Sequence, residues 1–315
     1  MKHLKHYAMS PLDFISRVID SKKDHRGDDV IRKERERCKA TGLKPPAVLM
    51  YKERCAEIRD RNKAEINKYQ TAFDTDNLTV VPKGVPVSLN GAKKDCEDMK
   101  ELYAFRGAEL GKLWAEVLSE DDYLDDICPI CESVKATSFD HYLPKTEYQL
   151  FSVHPLNLIP CCTVCNGHKL KRIFDGKNKR KYWNAYLDEN TTERYLYCDI
   201  TEENGMPKAS FRVEQGNLPN RYYEIVKNSF DDLELNKNYQ ESSGRIIKDL
   251  KKSCCQYYIK NSQLGFDVCL QHVGETIPDT EVNNWANVLK KALIDTDIFK
   301  SFVKTALKQE YGINC

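Results

Sequence analysis

Apolar residues recur at helical spacing over most of this chain, and they alternate like strands only in short stretches. Pro11 to Asp20 carries Leu, Phe, Ile and Val on one face, with Ser10 placed to cap the helix and Pro11 at its first position. The pattern predicts a long helix from Pro46 to about Phe73 and a connecting loop from Asp74 to Leu89. A second long helix is predicted from Asn90 to Leu118, where Leu102, Phe105, Leu110, Leu113, Trp114 and Val117 make an apolar stripe. Farther on, Arg194–Ile200 and Ala209–Val213 read as short strands around an Asn204-Gly205 turn. Tyr222–Phe230, about Glu241–Ile259, and Thr280 to about Tyr311 read as helices. The expectation is a mainly helical α+β protein in three regions. Residues 1–119 form a helical N-terminal region and 120–185 a small centre. Residues 186–315 form a mostly helical C-terminal region with a short β hairpin.

Composition narrows the class. The 315 residues are 41% hydrophobic and 31% charged, the profile of a soluble protein. No apolar run reaches the roughly 18–20 residues needed to cross a bilayer. The first residues lack the apolar core of a secretory signal, so a cytoplasmic protein is expected. Net charge is only +1, but it is unevenly spread. Residues 1–70 hold 18 Lys/Arg against 11 Asp/Glu, and 166–185 hold seven against one. Local fields of this kind suit a polyanion even in a nearly neutral chain. Glu120–Asp126 is acidic and reads as a solvated stretch or a helix end.

Thirteen cysteines are many for a reducing compartment, where disulfides are disfavoured. Cys128-x2-Cys131 and Cys162-x2-Cys165 are two knuckles thirty residues apart. Each can bite one ion through a tight turn, and together they supply the four thiolates of a closed, structural zinc site. Cys161 leaves the register open by one residue, although Cys162 keeps the two-residue spacing.

Between and just after the knuckles lie Asp140-His141, Asn157-Leu158 and Asn166. Histidine is the residue type that takes a proton from water near neutral pH. Asp140 and Asn166 offer hard oxygens suited to Mg²⁺ or Mn²⁺. The order Cys-x2-Cys, Asp-His, Asn-Leu, Cys-x2-Cys-Asn-x2-Lys resembles the H-N-H (ββα-metal) endonucleases, over about 45 residues from Cys128 to Arg172. That resemblance implies a zinc-stapled ββα core flanked by helices. It implies His141 as general base, Asn157 bracing the loop and the histidine, and Asp140 and Asn166 on a catalytic Mg²⁺ or Mn²⁺. His168 is a spare candidate for the last position, and His154 reads as a loop residue.

Lys145, Lys169, Lys171 and Arg172 are placed to meet phosphates, and the basic run continues through Lys177, Lys179, Arg180 and Lys181. DNA is favoured over RNA as substrate. The stretch from Asp140 to Asn166 further resembles H-N-H nucleases of bacterial anti-phage defence systems, some paired with an ATPase. The competing reading is a zinc-stabilised module that binds nucleic acid or a partner without catalysis, and an RNA-cleaving enzyme of the same family is a third. A pure binding module has no need of Asp140, His141 and Asn166 together.

Overall fold

The computed structural model describes residues 1–105, 107–120, 123–124, 126–169 and 173–314. The chain divides into two compact bodies. One comprises residues 3–127 and 135–188; the other comprises 1–2, 128–134 and 189–315.

The first body begins with α1 (Pro11–Asp20), α2 (Asp28–Ala40), α3 (Tyr51–Arg61) and α4 (Lys63–Asp74), followed by α5 (Ala92–Glu101) and α6 (Ala108–Val117). A two-residue ladder pairs β1 (Ser119–Glu120) with β2 (Tyr123–Leu124). Then come β3 (Ser138–His141), β4 (Leu158–Cys161) and α7 (Thr163–Lys169). β3 and β4 are antiparallel, with Asp140 opposite Ile159 and His141 opposite Leu158. One apolar core joins α1, α3 and α4 to the strands, with Phe14, Ile58, Tyr69, Leu113, Tyr142 and Phe151 essentially sealed from solvent. Burying side chains of this size is the main stabilising term.

α1 has the predicted bounds, and Ser10 caps it by accepting the Asp13 N–H. The two long predicted helices are each broken. Asn62 separates α3 from α4: its buried amide donates to the Ile58 and Val87 carbonyls at 2.8 and 3.1 Å and accepts the Val87 N–H at 3.0 Å. A side chain that satisfies a distant strand of backbone in this way cannot be read from helical periodicity. Between α5 and α6 the chain turns out of helix so that Tyr103 and Phe105 pack on His141 and Phe139. α2 was not expected, because only its Asp28 and Cys38 are buried. Asp28 fixes its start by accepting the N–H groups of His25 and Tyr51.

In the second body β5 (Leu196–Glu203) and β6 (Met206–Val213) form an eight-residue antiparallel ribbon. Asn204 and Gly205 both have positive φ, 53° and 76°, as a two-residue hairpin turn of matching twist demands. The helices are α8 (Asn220–Asp232), α9 (Leu235–Asn261), α10 (Phe266–Glu275), α11 (Trp285–Ile294) and α12 (Asp297–Tyr311). The predicted terminal helix is split at Thr296, whose hydroxyl caps α12 by accepting the Phe299 N–H. α10 was missed. In this core Tyr239 stacks on Trp285 and Phe211 meets Tyr239 edge-on, and the Trp285 indole donates to the Glu132 carbonyl at 2.8 Å. The fold is therefore α+β and mostly helical, and no helix among the described residues is long and apolar enough to cross a membrane.

Candidate functional site

The two knuckles converge. Cys128, Cys131, Cys162 and Cys165 are all buried, and their sulfurs lie within 4.8 Å of one another. Four thiolates at about 2.3 Å from one tetrahedral zinc stand about 3.8 Å apart, so this donor set fits such an ion with little adjustment. Glu132, at φ 51°, turns the first knuckle. In the second, the Cys165 N–H points at the Cys162 sulfur at 3.4 Å, a contact that favours a thiolate. The register is settled: Cys161 ends β4, its carbonyl accepting the Thr137 N–H, and the metal-ligating geometry falls to Cys162.

β3 places Asp140 and His141 in succession, and both are almost buried. The His141 Nε2 lies 3.0 Å from the Ser152 carbonyl. A carbonyl can only accept, so Nε2 carries the proton and Nδ1 keeps its lone pair. Burial lowers the His141 pKa to about 3, the charges of Lys145 and Lys169 push the same way, and the Ser152 carbonyl offsets part of this. The imidazole is thus neutral at physiological pH, as an acceptor of a proton must be. Its ring meets the Tyr103 ring edge-on at 4.5 Å.

Asn157 is sealed from solvent and uses its whole amide. Its Oδ1 accepts the Leu143 N–H at 2.7 Å and the Tyr69 hydroxyl at 3.2 Å, while Nδ2 donates to the Leu143 and Phe151 carbonyls at 3.1 and 3.0 Å. One side chain therefore ties both ends of the 142–157 loop, which carries the carbonyl that orients His141. Asn166, on α7, donates to the Ser138 hydroxyl at a long 3.5 Å. His168 follows on the same helix, half-buried.

The basic residues do not share one fate. Lys145 is half-buried, with its ammonium 4.1 Å above the Tyr103 ring. Lys169 is buried and turned inward: its three protons go to the His141 and Tyr142 carbonyls, each at 3.0 Å, and to Asp140 at 2.8 Å. It holds α7 to the end of β3 instead of facing solvent, where a phosphate contact would need it. Lys171 and Arg172 lie outside the described residues. Arg180 is paired with Asp188 at 2.6 Å, whereas Lys177 and Lys179 are exposed. Of the acidic stretch, Asp126 pairs with Lys135 at 3.1 Å; Asp121, Asp122 and Asp125 lie outside the described residues.

His154 is more than a loop residue. It is buried against Tyr69 and Phe151, and neither ring nitrogen makes a hydrogen bond among the described residues. Burial lowers its pKa to about 3, and the backbone of Ile66 acts in the opposite direction. Sequence reading did not find Tyr69, Tyr103 or Ser152, none of which belongs to a spacing pattern. Lys169 was found, but in a different role.

No family model matches the chain, and no solved structure matches it. The chain is 33% identical over 140 residues to Protein ea31 of Escherichia phage lambda, an alignment covering 41% of this chain and 47% of that protein. The similarity therefore spans about half the length of that relative.

Proposed function

We propose that the chain is a metal-dependent endonuclease of the H-N-H (ββα-metal) type that hydrolyses phosphodiester bonds, with DNA as its favoured substrate. The observation that supports this most is the arrangement about His141. A neutral imidazole with its Nε2 tied to Ser152 presents Nδ1 as the acceptor, on a strand pair followed at once by a helix, and a fully bonded Asn157 braces the loop. His141 would take the proton from the attacking water, and Ser152 would hold the ring on the right tautomer while it does so. Asn157 would keep the Ser152 carbonyl in place.

The donor chemistry near His141 suits a hard divalent cation. Asp140 offers a carboxylate, and the long Asn166–Ser138 contact leaves that amide weakly committed. Such an ion, Mg²⁺ or Mn²⁺, would neutralise charge on the phosphate and the leaving oxygen. Zinc on the four cysteines would be structural. The biological setting we propose, an effector of anti-phage defence working beside an ATPase or another defence-system subunit, rests on sequence resemblance.

The second reading, a binding module without catalysis, draws on one observation. Lys169 already neutralises Asp140, which weakens the case for a cation there. Nicking of supercoiled plasmid with Mg²⁺ or Mn²⁺ separates the two. Wild type should cut, and His141→Ala should lose at least about a hundredfold in rate while keeping its circular dichroism spectrum. Equal cutting by both proteins would remove His141 from the chemistry. An inert wild type that still binds DNA and RNA would favour the binding module.

A further inference from the structure

A cleft of about 390 Å³ lies beside His154, between residues 6–11, α4 and the end of the 142–157 loop. It belongs wholly to the first body and has the size of a small-molecule site. None of the twelve described residues that line it is Asp, Glu, Lys or Arg, in a chain where 31% of residues are. An anion or a metal ion would find no counter-charge there, so the cleft suits a neutral guest.

Its polar groups are largely uncommitted. Asn67 and Gln70 stand three residues apart on one face of α4. The Asn67 amide makes no hydrogen bond among the described residues. Gln70 gives a proton to Asp74 at 2.8 Å and keeps its oxygen. The His6 Nε2 lies 2.7 Å from the Tyr186 carbonyl, so Nε2 donates and Nδ1 is left to accept. His154 is the most buried of these groups, only 1% exposed, and neither of its nitrogens has a partner among the described residues. Burial keeps the ring neutral at physiological pH, with one donor and one acceptor to offer.

Packing explains the His154 ring but not its nitrogens. The ring meets Tyr69 at 4.5 Å and Phe151 at 6.0 Å. Phenylalanine would make those contacts without burying two unpaired polar atoms. A guest that brings both a donor and an acceptor removes that cost. The rest of the lining includes Met9, Pro11, Ile66 and Leu156, which offer apolar surface. Such a guest is uncharged, apolar on its faces and edged with neighbouring donors and acceptors. A nucleobase has those properties, and Asn and Gln amides match the donor–acceptor edge of adenine.

We propose that this cleft binds a neutral nucleobase, whose edge is bonded by His154, Asn67 and Gln70. The base belongs either to a free nucleoside or to a nucleotide turned out of a nucleic-acid strand. His141 does not line the cleft, and the proposal does not rest on the nuclease reading.

The test is isothermal titration of the intact chain with adenosine, guanosine, cytidine and thymidine, of which at least one should bind. His154→Phe keeps the ring packing and should weaken that binding about tenfold or more. Asn67→Ala, at an exposed position, should weaken it by about twofold to tenfold. Lys68→Ala, on the same helix but outside the cleft, is the control and should change nothing.

Fluorescein-labelled single strands separate the two sources of the base. If His154→Phe weakens binding of a strand with bases but not of an abasic strand of equal length, the guest is a base in nucleic acid. If nucleoside binding falls and both strands are unaffected, the guest is a free nucleoside. The proposal is overturned if no nucleoside binds, or if wild type, His154→Phe and Asn67→Ala bind nucleosides equally. Toluene bound as tightly as the best nucleoside would also overturn it, because the polar groups would then select nothing.

Discussion

Two of the antiparallel strand pairs are built on opposite principles. β5 and β6 are eight residues each, joined by two residues, and much of their surface is open to solvent. β3 and β4 are four residues each, nearly all buried, and joined by the sixteen residues 142–157. The ribbon is specified locally, by turn chemistry and neighbouring backbone bonds. The β3–β4 pair is specified from afar, through Asn157, Lys169, Tyr69 and the four-cysteine cluster. A short strand pair that must hold polar side chains in place cannot rely on its own ladder, so it borrows rigidity from side chains elsewhere in the sequence.

Stripping the metal should show this contrast most strongly. The protein should carry one zinc per chain. After exhaustive chelation, backbone amides in β3, β4 and α7 should lose most of their hydrogen-exchange protection, because structural zinc binding is worth about 10 kcal/mol or more. Protection in the β5–β6 ribbon should fall much less. Uniform loss would mean that the two pairs are not independent, and no loss would mean that the cluster holds no structural ion.

Asn157→Ala comes next. It leaves the Leu143 N–H, the Leu143 and Phe151 carbonyls and the Tyr69 hydroxyl without their partner, at an expected cost of about 3–5 kcal/mol in urea denaturation. A loss under about 1 kcal/mol would show that the loop is held by packing alone.

Acid should act on the same region through His154. Its folded pKa, about 3, lies below the ordinary value of 6.5. The unfolded chain therefore binds the extra proton first, and stability falls as pH drops through 6.5 and continues to fall toward 3. The slope is about 1.4 kcal/mol per unit, or about 2 kcal/mol between pH 7 and 5. His141, whose folded pKa is also about 3, adds an equal slope, so His154→Phe should remove about half of the total loss, and an unchanged curve would disprove the assignment. The ribbon contains no histidine. Its weak point is the turn, where Gly205→Ala at φ 76° should cost about 1 kcal/mol and leave the 142–157 loop untouched.

What could be read from sequence follows the same division. Ser10-Pro11, Asn204-Gly205 and the two cysteine knuckles are local signals with a fixed physical meaning, and the structure places a cap, a turn and a thiol cluster at those positions. Helix breaks were illegible where their cause is distant: Asn62 answers to Val87, and the α5–α6 break answers to β3. Lys169 looked like a surface charge because sequence shows that a lysine is present but not which way α7 turns it. Tyr103 and Ser152 reach His141 through tertiary contact alone, so no spacing rule points to them.

The Asp140–Lys169 pair bears on how the protein matures. A buried carboxylate with no counter-charge would oppose folding until a cation arrived. Here the counter-charge comes with the polypeptide, so the burial of Asp140 between β3 and α7 needs no Mg²⁺ or Mn²⁺, even though the cysteine cluster still needs its zinc. Any ion drawn to Asp140 later must compete with a resident ammonium. On the nuclease proposal, availability of that ion would govern output from a pool of molecules that are already folded.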